Sequence, residues 1–537
     1  MSSLISRLLT PYDTEPDDQF FTPDEVAALY AAVPPDAGDV VDDATWRDLL
    51  LPRYTDGLAA GTSIFGRQVL ERDLRAGLDD DAVASRRARV QALLDDPAQL
   101  DALRRKLACL RHADIDVATL LFADTPPARP GWVGWLPWLP VLLAASIVAA
   151  VLVSPWGWLG VGVAMYFLVT VRLRYHDLVG RWTRSLRALQ ILLRACSLLD
   201  GSGLALAEPF TGRGTPAGRL SRALERSIWS GSGTPVLREY ADWFSAADVR
   251  HYYRTLGRVF GRRDFLRECY WLCAQLEADV ALARHLRDQP TWCWATRTAA
   301  RTLVLDGGVH PLLDESRGLS VALDGKGAFL SGQNGVGKST LLRMLGLNLV
   351  VARAFGFGYA QQASLPALPV VASMQNEDSL LGGQSLYIAE LARARTLLER
   401  SRGEQAVVCL VDEIFRGTNH EESVSAAAAV VDELARHALV VVSSHNLVLG
   451  SLLAHALAPW RIVREDDGGL VLEPGVLGRT NGVALLAEHG FDEGVQRRAE
   501  QVAAWLAQQR HRDVGIDMRR VDGLPSTRST PVRTATT

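Results

Sequence analysis

The chain has 537 residues, a formal net charge of −4 and an isoelectric point near 6.3. This length allows several domains, each large enough to bury a core. The small negative charge excludes a protein that holds nucleic acid through a global basic field. Arginine outnumbers lysine by 54 to 3, so arginine density is by itself a weak signal for any partner.

The six cysteines form no C-x-x-C pair and have no metal-ligand spacing. Cys269 and Cys273 could share one helix face, but buried or idle thiols are the simpler interpretation. We therefore expect a reducing, cytosolic setting for the soluble parts of the chain.

The first 125 residues are predicted to form a helical region. Thr22-Pro-Asp-Glu25 is typical of a helix start, with a capping residue, proline in the first position and acids in the first turn. Apolar residues between Leu70 and Leu107 recur at helical spacing. No apolar signal core comes after the first methionine, so we expect no secretory leader.

An uncharged stretch of 42 residues extends from Pro130 to Val171. As one helix it would measure about 63 Å, twice the ~30 Å hydrocarbon thickness of a bilayer. A turn-like segment, Ser154-Pro-Trp-Gly157, divides it into two predicted spans, 136–153 and 156–172. Because arginines flank the stretch and the turn is uncharged, we predict a multi-pass plasma-membrane protein with both termini and the C-terminal domain in the cytoplasm. A buried helical hairpin in a large soluble core is the alternative.

Residues 173–300 are predicted to be long helices. Positions 172–300 hold 20 arginines and 12 acids, a formal excess of +8. This excess could contact anionic lipid headgroups or nucleic-acid phosphates, or it could simply be a solvated helical face. Residues 511–537 have the composition of a disordered tail.

A glycine-rich segment, Gly332 to Ser339, has the pattern G-x-x-x-x-G-K-S between an apolar strand-like run and a helical run. This pattern is typical of a P-loop, whose backbone N–H groups surround nucleotide phosphates at a helix N-terminus. Gly332, Gly335 and Gly337 would let the loop approach the phosphates. Lys338 would contact the β- and γ-phosphates of ATP, and Ser339 would bind Mg²⁺.

Two further apolar runs end in polar side chains that suit phosphate chemistry. Val407 to Val411 precedes Asp412 and Glu413, and Ala438 to Val442 leads to His445. Asp412 would contribute to the Mg²⁺ shell, and Glu413 would orient and deprotonate the attacking water. His445, at the end of a parallel strand, could reach the γ-phosphate or that water, although a lone histidine is often structural.

These motifs together resemble the MutS family of mismatch-repair ATPases, a branch of the ABC-type nucleotidases. The resemblance is strong over about 305–450, fair to about 505, and weak over 45–125 and 173–300. The segments that carry it occur in the family's order: His310-Pro311, Gly332-x-Asn334-x-x-Gly-Lys-Ser-Thr340, Gln384-Ser385-Leu-Tyr387-Ile-Ala-Glu390, Asp412-Glu-Ile-Phe-Arg416-Gly-Thr418 and Ser443-Ser-His445.

The resemblance implies an α/β P-loop ATPase domain at the C-terminus, preceded by an all-α, lever-like region that would carry the transmembrane hairpin. It also implies nucleotide contacts from Asn334 and Thr340, ATP hydrolysis with Mg²⁺, and a homodimer in which Ser385 of one subunit completes the partner's site. Double-stranded DNA would be a partner by the same resemblance. The expected boundaries are 1–125, 126–172, 173–300, 301–510 and 511–537.

The sequence departs from the family in ways that bear on function. No counterpart of the mismatch-reading domain is visible, and Phe415 stands where the family usually has glycine. The first alternative is a membrane-bound signalling or remodelling ATPase that acts on a protein or lipid without DNA. A second is the ATPase subunit of a transporter, which Leu381-Gly-Gly-Gln384 favours and a single hairpin per chain disfavours.

Overall fold

The computed structural model describes residues 19–34, 40–123, 125–128, 130–225, 246–298, 301–313, 317–374, 386–465, 469–478 and 481–513. By their internal contacts the residues form two units. Unit 1 comprises Met1–Pro35, Thr55–Asp73 and Ser85–Asp288, and unit 2 comprises Asp36–Tyr54, Leu74–Ala84 and Gln289–Thr537. Two stretches that were predicted to belong to the N-terminal helical region, 40–54 and 74–84, thus lie in unit 2.

The described residues up to 288 form helices joined by turns and contain no strand, as predicted. The α-helices are α1 Pro23–Ala32, α2 Asp43–Asp48, α3 Leu51–Leu58, α4 Ile64–Ala76, α5 Asp80–Asp95, α6 Pro97–Leu107, α7 Leu139–Leu152, α8 Gly157–Leu199, α9 Gly214–Leu224, α10 Ala247–Phe260 and α11 Arg263–Asp288. Thr22 caps α1 as expected, because its side chain accepts from the Glu25 backbone while the Glu25 side chain accepts from the Thr22 backbone.

The uncharged stretch forms a helical hairpin. A short 3₁₀ segment, Gly131–Trp138, leads into α7, and α8 begins after a turn at 153–156. Within the described part of the chain two helices, Gly131–Leu152 and Gly157–Leu199, are long and apolar enough to cross a membrane, and their most apolar windows are only 6% and 11% buried. α8 continues far beyond the predicted end at residue 172. The membrane location stays a prediction.

An ion-pair network lies inside unit 1. Arg86 donates to Asp73 and, at 3.1 Å, to Asp279, and all three side chains are almost fully buried. Arg89 also pairs with Asp279, at 2.5 Å. The network joins helices α4, α5 and α11, so it fixes three of the long helices of this unit together.

The described strands are β1 Cys293–Trp294, β2 Thr296–Thr298, β3 Thr302–Gly308, β4 Leu319–Asp324, β5 Gly327–Gly332, β6 Phe357–Gly358, β7 Gln362–Pro366, β8 Val370–Ser373, β9 Val408–Asp412, β10 Leu439–Ser443, β11 Leu457–Arg464 and β12 Leu470–Pro474. Unit 2 is built on a mixed six-stranded sheet with the order β12-β11-β5-β10-β9-β8. Its central strands pair in parallel and are apolar and buried, as expected for a sheet covered on both faces. β12 pairs antiparallel to β11 at one edge. A four-stranded sheet, β2-β7-β3-β4, and a two-stranded pair, β1-β6, complete the strands.

The described helices of the C-terminal part follow β5 in the chain. The helices are α12 Lys338–Phe355, α13 Leu386–Ser401, α14 His420–His437, α15 Val448–Leu452, α16 Leu485–Glu488 and α17 Glu493–Asp513.

Helix α2, far from the P-loop in sequence, completes the edge of the large sheet within unit 2. Thr45 Oγ1 accepts from the Ala372 N–H at 2.9 Å, and Asp48 Oδ2 accepts from the Met374 N–H at 2.8 Å. Arg393 of α13 donates to Thr45 Oγ1 at 2.9 Å and to Asp42 at 3.1 Å. These side chains satisfy backbone groups along the otherwise unpaired side of β8, an arrangement that protects a sheet edge.

The structure shifts two predicted boundaries. Strands β1 and β2 precede residue 301, so the strands of the C-terminal part begin earlier than expected. Residues 511–513 belong to α17 rather than to a tail, and the rest of the predicted tail lies outside the described residues.

Candidate nucleotide-binding and catalytic site

The predicted site residues lie at the ends of three neighbouring parallel strands. β10 lies between β5 and β9 and pairs in parallel with both. The P-loop comes after β5, Asp412 and Glu413 close β9, and His445 comes after β10. Because the carboxyl ends of parallel strands meet at one edge of a sheet, the fold brings these groups into one crevice.

The P-loop has the backbone that its glycines allow. Gly335 and Gly337 have φ angles of +74° and +109°, in the left-handed region that disfavours other residues. Helix α12 begins at Lys338, so its first N–H groups face the loop. Asn334 and Thr340 are exposed, Ser339 is half-buried, and the Asn334 N–H donates to Asn481 Oδ1 at 2.8 Å.

Lys338 is buried and its ammonium lies within the loop. Nζ donates to the carbonyl oxygens of Gly332, at 3.1 Å, and Gln333, at 3.0 Å. Burial lowers the pKa of Lys338, while Glu413 and Asp412 act in the opposite direction. The ammonium group is therefore held at the loop, where the oxygens of a bound anion would replace these carbonyl oxygens as its hydrogen-bond acceptors.

Asp412 ends β9 with a carboxylate that is fixed from the neighbouring strand. Ser443 Oγ donates a short hydrogen bond to Asp412 Oδ1. Ser443 is fully buried, and its carbonyl oxygen also accepts from the Glu413 N–H at 3.0 Å. In the sequence Ser443 is recognisable only as part of a motif. Its contact with Asp412 could not be predicted, because it depends on the register of β9 against β10.

Glu413 and His445 are in direct contact. His445 Nε2 lies 2.5 Å from Glu413 Oε1, and Arg416 forms an ion pair with Glu413 Oε2. Burial alone would raise the pKa of Glu413, but His445, Arg416 and Lys338 together bring it below the usual value. The carboxylate is thus kept ionised, which is the form that can accept a proton.

The turn after Glu413 has an uncommon backbone. Glu413 and Phe415 have φ angles of +52° and +59°, although neither is glycine. This explains why glycine suits the position that Phe415 occupies. Phe415 is buried instead and packs edge-to-face on Tyr387, with ring centroids 6.0 Å apart. Packing of the aromatic ring offsets the unfavourable backbone.

A cavity adjoins the P-loop on the side of α12. Its lining combines apolar with polar side chains: His310, Leu313, Arg317, Leu319, Val336, Thr340, Leu341, Met344, Arg464 and Leu470. Burial lowers the pKa of His310 to about 4, so its imidazole is neutral at physiological pH. A cavity that combines apolar side chains with a neutral imidazole beside a phosphate loop has the chemistry of a base-binding pocket.

The residues present fit a magnesium nucleotide. Gly335 and Gly337 have left-handed φ angles and carry no Cβ that would block a phosphate, and Lys338 supplies the cation. Ser339 and Asp412 offer a hydroxyl and a carboxylate oxygen, which are ligands that Mg²⁺ prefers. Among the described residues no cluster of three or more His, Cys, Asp or Glu could hold a metal by itself.

Ser385 and the segment Leu381–Gln384 lie outside the described residues. The predicted contribution of Ser385 to a partner's site therefore stays a prediction. Helix α13 begins directly after it, at Leu386.

Known proteins resemble this part of the chain. The family model of MutS domain V matches residues 328–503. The nucleotide-binding part of the chain belongs to the MutS family. This MutS domain V contains the P-loop, Asp412, Glu413 and His445, and it is an ATPase-type domain of the α/β P-loop class.

Curated relatives agree with the MutS assignment. The chain is 28% identical over 286 residues to the DNA mismatch repair protein MutS of Thermus aquaticus, covering 51% of this chain and 34% of that protein. It is 31% identical over 242 residues to the same-named protein of a Synechococcus species, covering 41% and 27%. For Thermotoga maritima the identity is 28% over 215 residues, covering 37% and 27%. The chain therefore matches about a third or less of the length of these MutS relatives.

Proposed function

We propose that the chain is a dimeric, membrane-anchored MutS-type ATPase that hydrolyses ATP to drive a conformational switch. The observation that carries this proposal is the Glu413–His445 contact at the carboxyl edge of the sheet, beside Lys338. An ionised carboxylate next to a phosphate-binding lysine is the arrangement that water attack on a γ-phosphate requires.

Each residue has a role that its surroundings support. Backbone N–H groups of the P-loop and Lys338 would bind the phosphates, and the cavity around His310 would hold the base. Ser339 and Asp412 would hold Mg²⁺, which when bound neutralises phosphate charge. Glu413 would take a proton from the attacking water, with His445 and Arg416 keeping its carboxylate oriented and ionised.

Membrane anchoring is supported by the exposure of the apolar hairpin. Val153 and Trp156 at its turn are 81% and 80% exposed, and large apolar side chains along α7 and the start of α8 are also exposed. An apolar surface of this extent is costly in water but not in a bilayer. The exposed Arg174, Arg181 and Arg184 beyond the second span agree with a cytoplasmic location for the chain after residue 172.

DNA is a proposed partner because the relatives are DNA mismatch repair proteins. The match covers only about a third of those relatives, so a second candidate function stands beside it. The exposed hairpin favours that candidate, a membrane-bound signalling or remodelling ATPase that acts on a protein or lipid.

The enzyme activity is tested with Glu413→Gln in the detergent-solubilised full chain. We expect ATP turnover to fall by about 10²–10⁴-fold while nucleotide affinity is retained, because the lost group acts only in proton transfer. Glu500→Gln, at an exposed position on α17, is the matched control. Unchanged turnover in Glu413→Gln contradicts the proposed role.

The nature of the partner, DNA or a protein or lipid, is tested with Glu413→Gln loaded with ATP. Salt-dependent binding to duplex DNA that is lost when Arg174, Arg181, Arg184 and Arg187 are neutralised supports the DNA function. Equal binding by the neutralised form, or copurification of lipid or protein without DNA, supports the second candidate. Release of the chain from membranes by alkali would contradict anchoring by the hairpin.

A further inference from the structure

Glu390, which is predicted only as part of a motif, contacts the turn after the proposed catalytic carboxylate. Its Oε1 accepts from the Arg416 N–H at 3.1 Å, and its Oε2 accepts from the Gly417 N–H at 3.2 Å. Both oxygens of one carboxylate thus accept from two successive backbone N–H groups. Hydrogen bonds to a charged acceptor are about twice as strong as neutral ones.

The turn that Glu390 contacts needs external support. Glu413 and Phe415 both have left-handed backbone conformations, which are unfavourable for residues other than glycine unless surrounding contacts impose them. Ser423 Oγ donates to the Phe415 carbonyl oxygen, which fixes the turn from α14. Helix α13 also contacts the turn, through Tyr387 and Glu390.

Helix α13 also approaches the turn closely at Gly417. A Cβ added at Gly417 would lie 2.6 Å from the Tyr387 backbone nitrogen, so the two backbones touch without room for a side chain. Tyr387 and Glu390 lie three residues apart and therefore on one face of the helix. One helical face thus holds Phe415, Arg416 and Gly417 together.

The position of Arg416 matters for Glu413. The Arg416 guanidinium forms an ion pair with the Glu413 carboxylate, opposite the His445 contact. Where that guanidinium lies depends on where the Arg416 backbone is held, and Glu390 accepts from that backbone. A loose turn would let Arg416 leave Glu413 or pull it away from His445.

We propose that Glu390 is a positioning residue for ATP hydrolysis, which fixes the Arg416–Gly417 backbone and thereby the orientation of Glu413. This inference rests on the proposed function, in which Glu413 accepts the proton of the attacking water. Glu390 itself contacts neither nucleotide nor water in this role. It differs from a general packing residue in that its loss changes catalysis without changing nucleotide binding.

The test compares Glu390→Ala and Glu390→Gln with Glu399→Ala in the full chain. Glu399 is exposed on the same helix and pairs with Arg395, so it is the matched control. We expect Glu390→Ala to lower kcat about tenfold or more with KM changed less than about threefold, because the lost contact orients only the reacting group. Glu390→Gln keeps one acceptor oxygen and should recover part of kcat.

A second measurement does not depend on activity. Amide hydrogen exchange of residues 413–418 should become about tenfold faster in Glu390→Ala, while exchange of strand β9 and the unfolding midpoint stay unchanged. Unchanged exchange in the turn, or a kcat equal to that of Glu399→Ala, overturns the inference. So does a fall in kcat that only parallels lost nucleotide affinity or lost stability. If the unmodified protein does not hydrolyse ATP, the proposed function fails, and the exchange data still decide whether Glu390 fixes the turn.

Discussion

Nε2 of His445 lies 2.5 Å from Oε1 of Glu413, although 32 residues separate them in the chain. The contact arises because β9 and β10 are parallel neighbours, with Asp412 opposite Ser443 in the register. The imidazole and the Arg416 guanidinium thus flank one carboxylate. Burial would raise the pKa of Glu413, and these partners outweigh that effect.

The pH dependence of ATP turnover should reflect the two opposing effects on the pKa of Glu413, burial and its positively charged or hydrogen-bonding neighbours. With the pKa of Glu413 lowered, the carboxylate remains ionised to a more acidic pH than a free glutamate would. Removing His445 takes away a group that lowers this pKa, so we expect the acid limb of the kcat–pH profile of His445→Ala to move to higher pH. His420→Ala, at an exposed position, should leave the limb in place. An acid limb that does not move in His445→Ala would show that His445 does not control the ionisation of Glu413.

Helix α2 should contribute to the stability of unit 2. Thr45→Val removes the oxygen that accepts from the Ala372 N–H at the sheet edge. A buried donor left without a partner costs about 1–3 kcal/mol. We expect a lower thermal midpoint and faster amide exchange across β8, measured against Thr183→Val, which is exposed on α8. Equal effects of the two substitutions would mean that α2 does not support the edge strand.

Asp48 gives a pH-dependent test of the same contact. Burial raises the pKa of Asp48 to about 6 from 3.8. The folded chain therefore binds more protons than the unfolded chain between these values, and the free energy of unfolding falls as pH rises through that window, by up to about 3 kcal/mol.

Asp48→Asn should remove that part of the pH dependence. It keeps a side-chain oxygen for the Met374 N–H and carries no charge. We expect its thermal midpoint at pH 8 to equal or exceed that of the unmodified protein, with a smaller difference at pH 4. A midpoint at pH 8 well below that of the unmodified protein would mean that the ionised carboxylate is needed.

The buried ion pairs of unit 1 should be sensitive to removal of one partner. Arg86→Met leaves Asp73 and Asp279 as buried carboxylates without that guanidinium. Breaking such a pair costs about 3–5 kcal/mol, so we expect a clear loss of thermal stability. Arg395→Ala, which breaks an exposed pair on α13, should cause no measurable change. A similar midpoint for the two variants would exclude a stabilising role for the Arg86 network.

Local features are the ones that the sequence predicts well. The P-loop, the apolar strands before Asp412 and His445, and the cap at Thr22 all depend on neighbours within a few residues. The family resemblance and the α/β class of the C-terminal domain are confirmed by the MutS domain V match. The roles assigned to Lys338, Asp412, Glu413 and His445 stay predictions. The structure adds the contacts that each of these side chains makes.

The contacts between distant residues could not be predicted. Thr45 and Asp48 meet backbone groups more than 320 residues away, and nothing in their local pattern indicates a sheet edge. The bond from Ser443 to Asp412 needs the strand register, and the two bonds to Glu390 need the path of the turn after Glu413. For the hairpin the reverse holds. Its apolar pattern is evident from the sequence, whereas its location in a membrane remains a proposal.

The most direct test of a composite ATPase site uses two inactive variants, Lys338→Ala and Ser385→Ala. If each site combines the P-loop of one subunit with Ser385 of its partner, a mixed dimer has one doubly altered site and one intact site. We expect each variant alone to be inactive and their mixture, after subunit exchange, to regain about a quarter of the unmodified ATPase activity, because statistical pairing makes half of the dimers mixed. No recovery in a mixture that demonstrably contains mixed dimers would contradict a composite, dimeric ATPase site.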